Sequence, residues 1–153
     1  MPFVAEFDLA VMTGHAFQSF ITTDDLRASL RTIRRALVPG GLFVFETRNP
    51  AARVGSMGDD AGQLRDRSLS SPVQVSYDIL DVTGDVVTLT ETTATPDGTV
   101  LRVEHGQLRF LAPERLAMKL EEAGFVIDEQ VGDWDESPLS PTSREVITVA
   151  RAA

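Results

Sequence analysis

The stretch ITTDDLRASLRTIRRALVPGGLFVFET constrains the fold more than any other part of the chain. Leu26, Leu30, Ile33 and Leu37 recur at helical spacing, and Thr22 with Asp25 three residues on fits a capping box. Arg34 and Arg35 suit the negative end of the helix dipole, and Pro39-Gly40-Gly41 is expected to stop the helix. LFVFET then reads as a short apolar strand. Upstream, FDLAVM (Phe7 to Met12) is a second run of the same kind, expected to be buried on both faces as in parallel sheets. Strand, helix and strand with short connections make a right-handed βαβ unit. Ligands of such sheets gather at the carboxyl ends of the strands, here TGHAFQ and ETRNP.

Downstream the character changes. Residues from about 50 to 72, rich in Gly, Ser, Asp and Arg, are expected to form a mobile loop or lid. From about 73 to 111, VQVSYDILD, VVTLTETTAT and TVLRVEHGQLRFL are β-branched and partly alternating, with TPDGT as a hairpin signal, so an antiparallel insert is expected. APERLAMKLEEAGF has Pro in the first helical turn and Gly124 at its end. FVIDEQVGD and REVITVAR follow as strands joined by WDESPLSPTS. The 153 residues are expected to make one α/β domain without internal repeats.

Composition narrows the function. A net charge of −9 with no Lys/Arg cluster argues against nucleic acid and anionic membranes. With no cysteine, disulfides and thiolate chemistry are excluded. Two histidines, His15 and His105, offer no metal spacing, so no metal site is expected. No G-x-S-x-G or G-x-x-x-x-G-K motif supports a hydrolase or a kinase. The amino terminus lacks a secretory pattern and no apolar run is long enough to span a membrane, so a cytoplasmic protein is expected.

The order of these elements resembles the second half of a class I S-adenosylmethionine-dependent methyltransferase. FDLAVMTGHAFQSF is similar to the family's fourth strand and the loop after it. LRTIRRALVPGGLFVFETRNP resembles the following helix, its Pro-Gly-Gly step and the fifth strand. FLAPERLAMKLEEAGF and REVITVARA resemble the last helix and the final, antiparallel strand. The resemblance implies a partial Rossmann-like sheet with an antiparallel β insert beside the substrate. It also implies a cofactor, S-adenosyl-L-methionine, whose methionine end the loop Met12, Thr13, Gly14, His15 and Phe17 would line. The family's glycine-rich turn has no counterpart, since G-x-G occurs nowhere in the sequence. A truncated domain is therefore expected, with weak or absent cofactor binding by this chain alone. The strand Phe7–Met12, short of neighbours, is expected to pair across a homodimer.

The candidate site residues follow from placement. His15 is the candidate catalytic group at the transferring methyl; the other reading is that it caps the helix or packs in the sheet with Phe17. Arg48 and Asn49 stand where substrate approaches, or belong to an ordinary exposed loop. Glu46 falls within an apolar strand, where a buried carboxylate needs a partner. Tyr77, His105 and Arg109 lie on the insert, the last two on one face by strand periodicity, as substrate-wall candidates or as a solvated face. Asp133, Trp134 and Asp135 offer an aromatic and carboxylates to a cation, against the reading of Trp134 as a core plug. Two functions remain: a domain which in complete form methylates a small molecule, and a non-catalytic binding or assembly module derived from one.

Overall fold

The computed structural model describes residues 3–52, 63–64 and 73–153, and the chain divides into two compact units, 1–52 with 109–153 and 53–108. The expected loop at about 50–72 falls largely outside the described residues.

In the first unit, strand β1 (Phe7–Met12) leads through a single 3-10 turn to helix α1 (Thr23–Ala36) and strand β2 (Leu37–Arg48). Helix α2 (Pro113–Glu122), strand β7 (Phe125–Val131) and strand β8 (Glu145–Ala152) close the unit. The sheet order is β1-β2-β8-β7. β1 and β2 run parallel with Val11 opposite Val44, while β8 runs antiparallel to both β2 and β7. The parallel pair and the terminal antiparallel strand agree with the sequence reading.

Both helices form where their signals lie. Thr22 accepts the Asp25 N–H at 3.0 Å, and its hydroxyl donates to the Asp25 carboxylate at 2.6 Å, so the reciprocal arm of the capping box closes on the threonine side chain. Leu26, Leu30 and Ile33 of α1 join Leu116 and Leu120 of α2 in one core with Phe43, Phe45, Phe125, Ala150 and Ala152. The strand members of that core are register partners or alternate with them, so the core lies on one face of the sheet. Phe45 stacks on both Phe43 and Phe17 at 4.5 Å between ring centroids.

The end of α1 departs from expectation. The helix stops at Ala36, and Leu37 is already extended and pairs with Phe7. Pro39-Gly40-Gly41 lies within β2, where the register passes from Phe7–Leu37 to Leu9–Leu42 and leaves the surplus residues as a bulge. Gly40 has φ +81°, and a Cβ on Gly41 would lie 3.1–3.2 Å from backbone oxygens of Val38, Asp8 and Phe7. What ends the helix is the chain before it: Ala5 and Glu6 donate their N–H groups to the carbonyls of Arg35 and Ala36. Arg34 also does more than face a dipole, because its guanidinium donates to the carbonyls of Gly124 and Ala153.

β1 is not buried on both faces. Ala10 and Met12 pack on the core, but Phe7, Leu9 and Val11 are 41%, 54% and 55% exposed on the opposite face. β1 is the sheet edge, and neither helix covers that face, so periodicity alone overstated its burial.

The second unit holds a sheet ordered β3-β4-β5-β6, namely Gln63–Leu64, Val73–Thr83, Val86–Ala94 and Val100–Arg109. β4 runs antiparallel to both β3 and β5. The expected hairpin turn forms at Thr95-Pro96-Asp97-Gly98, with Gly98 at φ +89° donating to the Thr95 carbonyl. No helix among the described residues is long and apolar enough to cross a membrane.

Candidate functional site

The carboxyl ends of β1, β2 and β7 and the amino end of β8 meet around a cavity of about 310 Å³ lined by His15, Glu46, Asp133, Trp134, Arg144 and Glu145. The loop after β1 is built around an uncommon backbone. Gly14 (φ +69°) and His15 (φ 56°, ψ 21°) are both left-handed, and for a residue with a Cβ this costs roughly 1–2 kcal/mol. Glu46 holds the turn. It points away from the core face that carries Phe45 and is 8% exposed. Its Oε1 accepts the N–H groups of Gly14 at 2.6 Å and His15 at 3.1 Å, and its Oε2 accepts the indole N–H of Trp134 at 2.6 Å. Burial raises the Glu46 carboxyl, but the Trp134 indole, the His15 and Gly14 amides and the nearby imidazole together outweigh it and hold it below its ordinary range.

The imidazole of His15 is held separately. Its Nε2 lies 2.9 Å from Oε2 of Glu145, the first residue of β8, and each side chain is about three-quarters buried. Trp134 is 49% exposed and roofs the cavity with its indole anchored to Glu46, so it does not plug the core. Its loop is fixed by close packing: a Cβ on Gly132 would overlap the hydroxyl of Ser143 and lie 3.1 Å from the Pro138 carbonyl.

The other candidates are placed as follows. Phe17 is buried against Phe45, and Met12 borders the core, so both stand behind the loop that carries Thr13 to His15. Arg48 donates from its backbone N–H and its Nη1 to Gln18 Oε1 at 3.3 and 3.2 Å. Gln18, wholly buried, donates in turn to the Arg109 carbonyl, and the Arg109 guanidinium donates to the Ile21 carbonyl. Asn49 is buried and gives its amide hydrogens to the carbonyls of Ser140 and Ser143, pinning the loop before β8. A separate groove of about 510 Å³ passes Asn49 and is walled by Pro50, Pro113, Leu139 and Pro141. In the second unit, His105 Nδ1 pairs with the Thr90 hydroxyl at 3.0 Å, and Tyr77 lies opposite Glu91 in the β4–β5 ladder. Among the described residues no group of side chains is arranged to hold a metal ion.

His15 and Glu46, both singled out in the sequence, lie together at the cavity, whereas Glu145 and the pairing with Trp134 were not anticipated. Those partners lie far along the chain, and only the register of β2 with β8 brings Glu145 opposite Arg48.

The βαβ step, the terminal antiparallel strand and the polar loops gathered at one end of the sheet match part of the Rossmann-like fold of S-adenosylmethionine-dependent methyltransferases. Solved structures carry the likeness further. A methyltransferase dependent on S-adenosylmethionine from Clostridium acetobutylicum ATCC 824 superposes with a TM-score of 0.75 at 17% identity, over 97% of this chain and 59% of that one. The CcbJ methyltransferase of Streptomyces caelestis gives 0.65 at 20% identity, covering 97% and 61%. The amino pentose methyltransferase CalS10 of Micromonospora echinaspora, solved with S-adenosylmethionine bound, gives 0.65 at 21%, covering 97% and 59%. The chain thus spans about three-fifths of the length of the structures it matches. No family model and no curated protein sequence matches it.

Nothing lies within 4 Å of where a Cβ of Gly14 would stand, so a ligand can approach the turn there. The amides of Gly14 and His15 are already taken by Glu46. The cavity offers carboxylates and the Arg144 guanidinium to a charged amino-acid end, and the sequence supplies no glycine-rich turn.

Proposed function

We propose that this chain is the acceptor-side portion of an S-adenosylmethionine-dependent methyltransferase acting on a small molecule. The observation that carries the reading is the turn Thr13–His15, buttressed by Glu46 and facing an open cavity at the carboxyl ends of β1 and β2, within a methyltransferase fold. In this reading Met12, Thr13, Gly14, His15 and Phe17 form and back the wall at the methionine end. When bound, the cofactor supplies the methyl group and its leaving group, which leaves the protein to align the acceptor and exclude water. Arg48 and Asn49, and Tyr77, His105 and Arg109, are the proposed acceptor-side residues. An amine acceptor is supported by Trp134 and the Asp133 carboxylate beside the cavity and by the amino pentose substrate of CalS10. The exposed edge of β1 supports a homodimer through that strand.

Titration of the 153-residue chain with S-adenosylhomocysteine, followed by amide NMR and calorimetry, tests the reading. Shifts confined to the turn around Gly14 and His15 at millimolar ligand are expected, with little or no calorimetric heat at micromolar concentration. Unmoved Gly14 and His15 amides would overturn the assigned site, and low-micromolar affinity would overturn the expectation that this chain alone binds weakly or not at all.

A further inference from the structure

We propose that Glu145 is a positioning residue for His15: it keeps the imidazole proton on Nε2 and so reserves Nδ1 as the acceptor for a proton leaving the methyl acceptor. The source of that second proton rests on the methyltransferase reading; the tautomer does not.

The backbone and the ring of His15 are fixed by different carboxylates. Glu46, on β2, takes the Gly14 and His15 amides and holds the left-handed turn. Glu145, on β8, meets only the ring, with 2.9 Å between Oε2 and Nε2. A carboxylate offers acceptors alone, so the ring nitrogen that meets it carries the hydrogen. In a neutral imidazole the other nitrogen then presents a lone pair. Among the described residues nothing donates to Nδ1.

The remaining charged groups around the cavity leave that assignment intact. Glu46 already accepts three N–H groups, and Asp133 accepts the backbone N–H of Trp134 at 2.7 Å. Arg144 also lines the cavity and, as a cation, offers only donors. In the methyltransferase reading the acceptor atom's lone pair would form the bond to the methyl carbon, while the pair of the old carbon–sulfur bond goes to the leaving sulfur. The acceptor N–H or O–H would then give up its proton, the acceptor atom keeping that bond's electron pair. Nδ1 takes the proton, His15 becomes an imidazolium, and Glu145 remains a carboxylate that balances the new charge across the Nε2–H bond, a division of labour known from other histidine–carboxylate pairs. The strained turn thus has a purpose: it delivers a ring whose two nitrogens have separate jobs.

With only two histidines in the chain, long-range proton–nitrogen correlation spectra hold two ring systems, and His105→Gln assigns them. The wild-type chain, at a pH where His15 is neutral, should show the Nε2–H tautomer alone, with a ring proton slow to exchange with water. Glu145→Gln places an amide that both donates and accepts opposite Nε2, so the single pattern should give way to a mixture while the backbone amide spectrum is retained. An Nδ1–H tautomer at His15 in the wild type would overturn the proposal, as would an unchanged ring pattern in folded Glu145→Gln. Should that variant not fold, Glu145→Asp draws the carboxylate back by one methylene, and loss of the slow ring proton is the expected result, its persistence the refuting one. Titration with S-adenosylhomocysteine keeps the two apart: unmoved Gly14 and His15 amides would overturn the assignment of the cofactor site to this turn and leave the tautomer result standing.

Discussion

Replacing Glu46 by glutamine tests whether one carboxylate organises the site. Glu46 accepts three N–H groups, from Gly14, His15 and Trp134, and a hydrogen bond to a charged group contributes about 1.5–3 kcal/mol against roughly 1 for a neutral one. In Glu46→Gln the amide oxygen can still serve Gly14 and His15 as a neutral acceptor. Its NH₂ then faces the Trp134 indole, donor against donor. One charged bond is lost and two are weakened; since Trp134 is half exposed, its N–H can turn to water, and the net cost is about 2 kcal/mol. In a chain of this size that lowers Tm by about 4–8 °C.

The pH dependence has a definite sign. The folded carboxyl lies below its ordinary value of 4.5, so Glu46 contributes stability in full above that pH and loses it as pH falls through the folded value. The gap between wild type and Glu46→Gln should be widest near neutrality and close on acidification. Thermal melts by circular dichroism measure the gap, and the fluorescence of the single tryptophan reports the contact itself. A variant that melts with the wild type at neutral pH, or a gap that does not change with pH, would refute the reasoning.

Other expectations are more local. Thr22→Ala removes both the acceptor for the Asp25 N–H and the donor to its carboxylate, and should cost about 1 kcal/mol in urea unfolding. Gly132→Ala forces a Cβ against Ser143 and the Pro138 carbonyl, with an expected loss of about 1–3 kcal/mol and altered Trp134 emission. If β1 pairs across a dimer, light scattering should give twice the chain mass for the wild type and a single chain for Val11→Lys; a monodisperse wild-type monomer would count against that pairing.

The helices were legible because their information is local: a cap at Thr22, a stripe through Leu26, Leu30 and Ile33, and Pro113 and Gly124 at the two ends of the second. The parallel pair was legible because two apolar runs flank one of those helices. Burial of β1 was misread because an apolar run tells nothing about what covers each face. At the site, Glu46 was visible as a carboxylate inside an apolar strand, but its donors were not. Trp134 meets it only after the loop following β7 folds over the sheet, and Glu145 reaches His15 only through the β2–β8 register. Contacts between residues so far apart in sequence have no local period to announce them.

The bulge at Val38–Gly41 acts at a distance. Because Gly41 nests against the backbone oxygens of Phe7 and Asp8, β1 has a mechanical stop against sliding along its neighbour. A slip of one residue would displace the far end of β1 by about 3.3 Å and turn its side chains to the opposite face. Gly14 and His15 would then miss the carboxylate that waits for them on β2. A kink at one end of the strand thereby calibrates the reach of the loop at the other.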